Sequence, residues 1–161
     1  MSKKRTLSGI TDYADLLKFA HSSAALGITD AEAVEFYTTA PSEWQQTLVN
    51  SCAPSMEAEK AIVLYGDDDV FHLLCVRHGL YPQTIEWAMQ EGSPEVAERV
   101  VKALKERPSA KAEILMLRRG ESELFKLWLQ KFYNLEDEAE RVLNEDPSLQ
   151  PLLSLYIDLQ L

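Results

Sequence analysis

One apolar pattern returns at nearly constant spacing between Ala40 and Leu129, and it restricts the chain to an architecture of stacked repeats. Four, five, eight and nine residues beyond Gly66 stand Val70, Phe71, Leu74 and Cys75. The same steps from Gly92 reach Val96, Ala97, Val100 and Val101, and from Gly120 they reach Leu124, Phe125, Trp128 and Leu129. Ala40 begins an earlier copy with Trp44, Gln45, Leu48 and Val49. The marks lie 26, 26 and 28 residues apart, the period of a helix pair. Three and four residues before them the chain is mostly apolar again: Phe36/Tyr37, Ile62/Val63, Ala88/Met89 and Met116/Leu117. Each period therefore holds two helices with one apolar stripe apiece. Neither buries its stripe alone, so successive pairs must stack.

The turn grammar agrees. Thr29-Asp30-Ala31-Glu32 reads as a capping box, in which hydroxyl and carboxylate satisfy each other's free backbone N–H groups. Thr11 or Asp12, Pro41-Ser42, Ser55, Asp67, Pro82, Ser93-Pro94, Ser109, Asn134 and Asp146-Pro147 open further helices, with proline where a missing N–H does no harm. About eleven short helices result. Residues 1–10 read as a flexible basic N-terminus and 11–161 as one all-α domain, an α-helical solenoid of about five helix pairs. A last mark at Glu145 finds Leu149 and Leu153 but also Gln150 and Ser154, the polar end unit that would finish a stack.

The Gly-x-x-x-Val-Phe-x-x-Leu-Cys run at 66–75 and its copies at 92–101 and 120–129 resemble the second helix of ankyrin repeats. The apolar pairs before each glycine are similar to the end of the ankyrin first helix, and the likeness covers roughly residues 33–132. The Thr-Pro-Leu-His opening is missing, and the period leaves no room for the ankyrin β-hairpin. The resemblance is therefore to ankyrin-like or HEAT-like solenoids as a class. It implies a scaffold that presents a groove to a protein partner.

Charge is unevenly distributed. Lys3, Lys4 and Arg5 make the first five residues +3; residues 6–98 carry 15 acids against Lys18, Lys60 and Arg77; residues 99–161 carry 11 acids against 10 bases. An acidic first half repels nucleic acid and anionic membrane and attracts basic segments. No apolar run reaches membrane-spanning length, and two cysteines make no disulfide framework, so a cytoplasmic setting is expected, with a secreted effector as the other option.

Asp68, His72, Cys75 and His78 suggest a metal site, the first three sharing one helix face. The repeat argues otherwise. Cys75 takes the slot of Val49, Val101 and Leu129, His72 an outward one, and His78 that of Cys52, Leu104 and Phe132. The same placement removes a Cys–His nucleophile, and no phosphate loop, His-Glu-x-x-His or Gly-x-Ser-x-Gly is present. No catalytic activity, metal or cofactor is expected. The residues that break the pattern are candidates for a partner surface: Tyr65, Asp67, Asp68, Asp69 and Trp87, since exposed Tyr and Trp anchor interfaces. An alternative is a basic patch of Arg99, Lys102, Lys105, Arg118 and Arg119, flanked by Arg107 and Lys111, on a nucleic-acid backbone. It lacks interleaved aromatics and is diluted by Glu98, Glu106 and Glu113.

Overall fold

The computed structural model describes residues 6–160, so the expected basic triplet Lys3, Lys4 and Arg5 lies outside the described residues. The chain is an all-α helical repeat, with eleven α-helices and no strand among the described residues. It divides into two compact units, Met1–Tyr81 and Pro82–Leu161.

The first unit holds α1 (Tyr13–Ala20), α2 (Asp30–Thr39), α3 (Ser42–Ser51), α4 (Met56–Tyr65) and α5 (Asp68–Arg77). Helices two apart in sequence pack together: α2 on α4, and α1 on α3 on α5. Two layers result, one from the first helix of each pair and one from the second. In the second unit, α6 (Pro82–Glu91), α8 (Ala110–Arg118) and α10 (Asp137–Glu145) form one layer, and α7 (Pro94–Ala103), α9 (Ser122–Phe132) and α11 (Gln150–Gln160) the other. This alternation is what stripes that cannot be buried alone require.

The repeat slots become the core. Of the sixteen residues at the four steps after Ala40, Gly66, Gly92 and Gly120 none is exposed, and only Trp44, Cys75 and Val96 are less than fully buried. The eight residues three and four before those marks are all buried. Large side chains such as Leu16, Phe19, Leu48, Ile62, Leu74, Phe125 and Trp128 are no more than 1% exposed, and each contributes about 1.5–3 kcal/mol of burial free energy. At the Glu145 mark Gln150 and Ser154 are exposed, as an atypical end unit predicts.

Most sequence caps are present. Asp12, Ser55, Asp67, Ser93 and Ser109 each accept a backbone N–H three residues on, and the Thr29/Glu32 box closes in both directions. The glycine marks serve two purposes. At Gly92 a Cβ would come within 2.5 Å of the Ala88 carbonyl oxygen, whereas Gly120 is needed for its φ of +68°.

Two local expectations change. Asn134 does not cap the helix that follows it: α10 starts three residues later behind Glu136, which has no side-chain cap of its own. At the other end, Leu7 and Ile10 are buried, and the 3-10 turn Leu7–Gly9 packs on α2, its Leu7 N–H donating to Glu32 Oε2 at 3.0 Å. This short turn takes the layer position that a first helix holds in later repeats.

Candidate functional site

Polar side chains that looked available for chemistry are largely engaged in joining one repeat to the next. Helix ends expose carbonyls and N–H groups that need partners. In the first unit Cys52 Sγ donates to the Ala20 carbonyl at the end of α1 at 3.5 Å, and a His78 ring nitrogen lies 2.6 Å from the Val49 carbonyl near the end of α3. In the second, Lys131 Nζ donates to Lys102 and Leu104 carbonyls behind α7, and Arg119 NH1 donates to the Met89 carbonyl of α6 at 2.9 Å. Cations at helix C-termini also complement the dipole.

The most connected of these joints was not read from sequence as a site. Glu113 on α8 is fully buried. It accepts from Trp128 Nε1 at 2.7 Å, from Arg107 NH1 at 3.0 Å and, through its other oxygen, from the backbone N–H of Glu136 at 2.6 Å. It is thus the missing N-terminal cap of α10, supplied from the preceding repeat. Arg107 continues the network to the Phe132 carbonyl, the Asn134 carbonyl and Asn134 Oδ1, with its guanidinium 5.4 Å from the Phe132 ring centre. Arg107 sits in the six-residue loop 104–109, where the loops 52–55 and 78–81 have four, and those two extra residues account for the 28-residue period. Glu59 plays a similar part in the first unit, where it is 2% exposed and accepts from Tyr81 N at 2.8 Å. Both glutamates stand seven residues before a mark, where the other repeats hold Ala33 and Ile85. An acid in a core slot was the available signal.

The suggested metal ligands do not converge. His72 and Asp68 are exposed on α5, Cys75 is partly buried, and His78 is tied to α3. No group of three or more His, Cys, Asp or Glu among the described residues is placed to hold a metal.

The candidate partner residues divide between the units. Tyr65, the last residue of α4, is 67% exposed. Asp67 Oδ1 accepts from Val70 N at 2.9 Å, so this acid also caps α5, and Asp68 and Asp69 occupy its first turn, both exposed. Trp87 is partly buried on α6 in the second unit. In the basic patch, Lys102 pairs with Glu98 at 2.9 Å and Lys111 with Glu86 at 3.7 Å. Arg118 lies 3.8 Å from Asp146, and Arg119, its side chain 11% exposed, forms a two-point bond with Glu121. Arg99 is partly buried and Lys105 is exposed.

A second feature of the first unit went unread in the sequence. A cavity of about 760 Å³ lies under the nine-residue connection 21–29, bordered by the end of α3, the start of α4, Tyr37 of α2 and Tyr81. Its lining carries no Asp, Glu, Lys or Arg. Burial pushes the Cys52 thiol there above its ordinary range, so it is protonated and a poor nucleophile.

No protein-family model, curated protein or solved structure matches the chain. No helix among the described residues is long and apolar enough to cross a membrane.

Proposed function

We propose that the chain is a non-catalytic binding module for a protein partner that carries a basic segment. Its ankyrin-like or HEAT-like helical repeats would hold the contact residues in place, as in an adaptor, an inhibitor or immunity-type protein, or a host-interacting bacterial protein, acting in the cytoplasm or after secretion. The observation that carries the reading is at the α4–α5 turn. Tyr65 stands two-thirds exposed, separated only by Gly66 from three exposed aspartates. Residues 6–81 hold 11 acids against 3 bases, a formal charge of -8, so the field around the turn favours a cation-rich ligand. Tyr65 would supply the apolar anchor and Asp67, Asp68 and Asp69 the charge, with Trp87 of the second unit as a further candidate contact.

Engagement of the other polar groups supports a binding role over a catalytic one. The charged and thiol side chains with the strongest local contacts bond the helix ends of neighbouring repeats, and the Cys52 thiol, the one that faces the cavity, stays protonated. Nucleic-acid binding is the weaker reading, because Lys102, Arg107, Lys111, Arg118 and Arg119 all lie within ion-pair distance of a carboxylate. Their field is neutralised locally.

The test is fluorescence anisotropy with a labelled oligolysine peptide at low and high salt. Asp67/Asp68/Asp69→Asn removes the charge but keeps α5 capped, since asparagine ranks with aspartate as an N-terminal cap. Affinity should fall more than tenfold in this variant and several-fold in Tyr65→Ala, with the wild-type affinity falling as salt rises. A Glu91/Glu95→Gln control, which removes two charges where the triple variant removes three, should leave binding nearly unchanged. Equal losses in the control and the triple variant would refute the contact surface.

A further inference from the structure

The cavity under the 21–29 connection is left unused by the Tyr65–Asp69 surface. The α2–α3 and α4–α5 turns lie at one end of the antiparallel helix pairs, and the α1–α2 and α3–α4 connections at the other. The acidic turn and the cavity are therefore on opposite edges of the first unit.

Three properties define what the cavity can hold. Its volume of about 760 Å³ falls within the usual range of about 300–1,000 Å³ for small-molecule sites. Its lining carries no Asp, Glu, Lys or Arg and a single imidazole, His21, within a stretch, residues 6–81, of formal charge -8: Ala33, Leu48 and Ala58 are buried apolar residues, and Ser23 and Ser51 are exposed hydroxyls. Leu26, 91% exposed, also lines it and offers apolar area to an occupant.

The third property is a free donor. Tyr37 lines the cavity and is 2% exposed as a residue; its hydroxyl forms no hydrogen bond to another described residue and is not among the enclosed polar atoms left without a partner, so it stays reachable through the cavity. Burial first, and then the neighbouring Cys52, hold the phenol well above its ordinary range, so the proton stays on at physiological pH. The thiol cannot serve this hydroxyl as a donor, since its own proton is directed at the Ala20 carbonyl. A ligand oxygen that reaches this hydroxyl through the cavity would gain a hydrogen bond from it.

We propose that this cavity is a binding site for an uncharged small molecule with an apolar body and a carbonyl or ether oxygen that accepts a hydrogen bond from Tyr37. Anions find no Lys or Arg in the walls, only the imidazole of His21, and an acidic stretch around them. Cations find no carboxylate to replace their hydration.

Nile red, an uncharged dye with a carbonyl, tests this on the full chain. Saturable one-to-one binding with blue-shifted emission is expected. Tyr37→Phe should weaken it roughly fivefold, the value of one neutral hydrogen bond, and leave the thermal midpoint unchanged or raised. Ser51→Trp, at an exposed lining position, should fill the mouth and abolish binding. Tyr65→Ala should change nothing, so this site can fail or succeed independently of the oligolysine surface. Absent binding, or binding undiminished in either Tyr37→Phe or Ser51→Trp, overturns the proposal. A lowered midpoint in Tyr37→Phe would mean that the hydroxyl is already bonded in the free protein, which also overturns it. Equal affinity at the same site for the anion 1-anilinonaphthalene-8-sulfonate would overturn the uncharged class.

Discussion

Replacing Glu113 with alanine should be among the most damaging single changes in the second unit. The substitution removes a carboxylate that accepts three hydrogen bonds. Trp128, itself fully buried, loses the acceptor of its Nε1–H, and a buried orphan donor costs about 1–3 kcal/mol. The backbone N–H of Glu136 loses the acceptor that caps α10, and cap loss typically costs about 1 kcal/mol. Arg107 loses its buried partner but keeps the Phe132 and Asn134 contacts, so its share is smaller. Together these give about 3–5 kcal/mol, the range expected when one partner of a buried ion pair is removed. That is a large fraction of the roughly 5–15 kcal/mol that holds a folded domain together. Urea unfolding followed by far-UV circular dichroism would measure it. Trp128→Phe and the double variant complete a cycle in which the two losses should overlap by about 1–2 kcal/mol. A loss below about 1 kcal/mol for Glu113→Ala, or fully additive losses, would refute the idea that this residue joins α8, α9 and α10.

The same residue should give the second unit a pH dependence. Burial pushes the Glu113 carboxyl above its ordinary 4.5, partly opposed by the Glu136 N–H, Trp128 and Arg107 contacts, with the Glu136 carboxylate adding to the rise. The folded state then holds its proton more tightly than the unfolded state, so the advantage of wild type over Glu113→Gln is greatest in acid. It should shrink as pH climbs from about 4.5 through the raised value; an advantage that grows over that interval would contradict the sign. Gln45 occupies a core slot with Nε2 bonded to the Ala40 carbonyl and Oε1 unpartnered, so Gln45→Met should raise stability by about 1 kcal/mol in the same urea assay. Tyr133, 79% exposed, centres a tight turn at φ +70° closed by Asn134 N on the Phe132 carbonyl. Tyr133→Gly should relieve that strain and raise the thermal midpoint by the equivalent of about 1 kcal/mol, where a fall would show that the side chain stabilises the turn.

The fold was legible because burial is periodic. Slot by slot, Trp128, Phe125 and Leu74 fall in the core from sequence alone, since every repeat faces the same neighbour. Caps such as Asp67 and Ser93 were legible because their acceptor and donor lie three residues apart. The joints were not. Glu113 and the backbone of Glu136 are 23 residues apart, Lys131 and the Lys102 carbonyl 29, and nothing local announces either bond. Asn134 illustrates the failure: it has the residue type of a helix cap, but Arg107 takes its oxygen and Glu113 caps the helix instead.

By itself, then, the sequence determined the architecture: helix pairs of near-constant period, their inward faces and the acidic character of the first half. Those follow from short-range spacing and from composition, which tertiary contacts do not rewrite. The use of the polar residues was decided only by the tertiary structure. Stacking brings each helix end beside side chains about one period away, and burial makes an unpartnered charge or N–H unfavourable. Five of the seven basic residues between 99 and 119 accordingly became caps or ion-pair partners, and the acid at Glu113 became a joint. The nine-residue connection 21–29, on which the sequence offers no motif, lines a cavity together with the ends of α3 and α4.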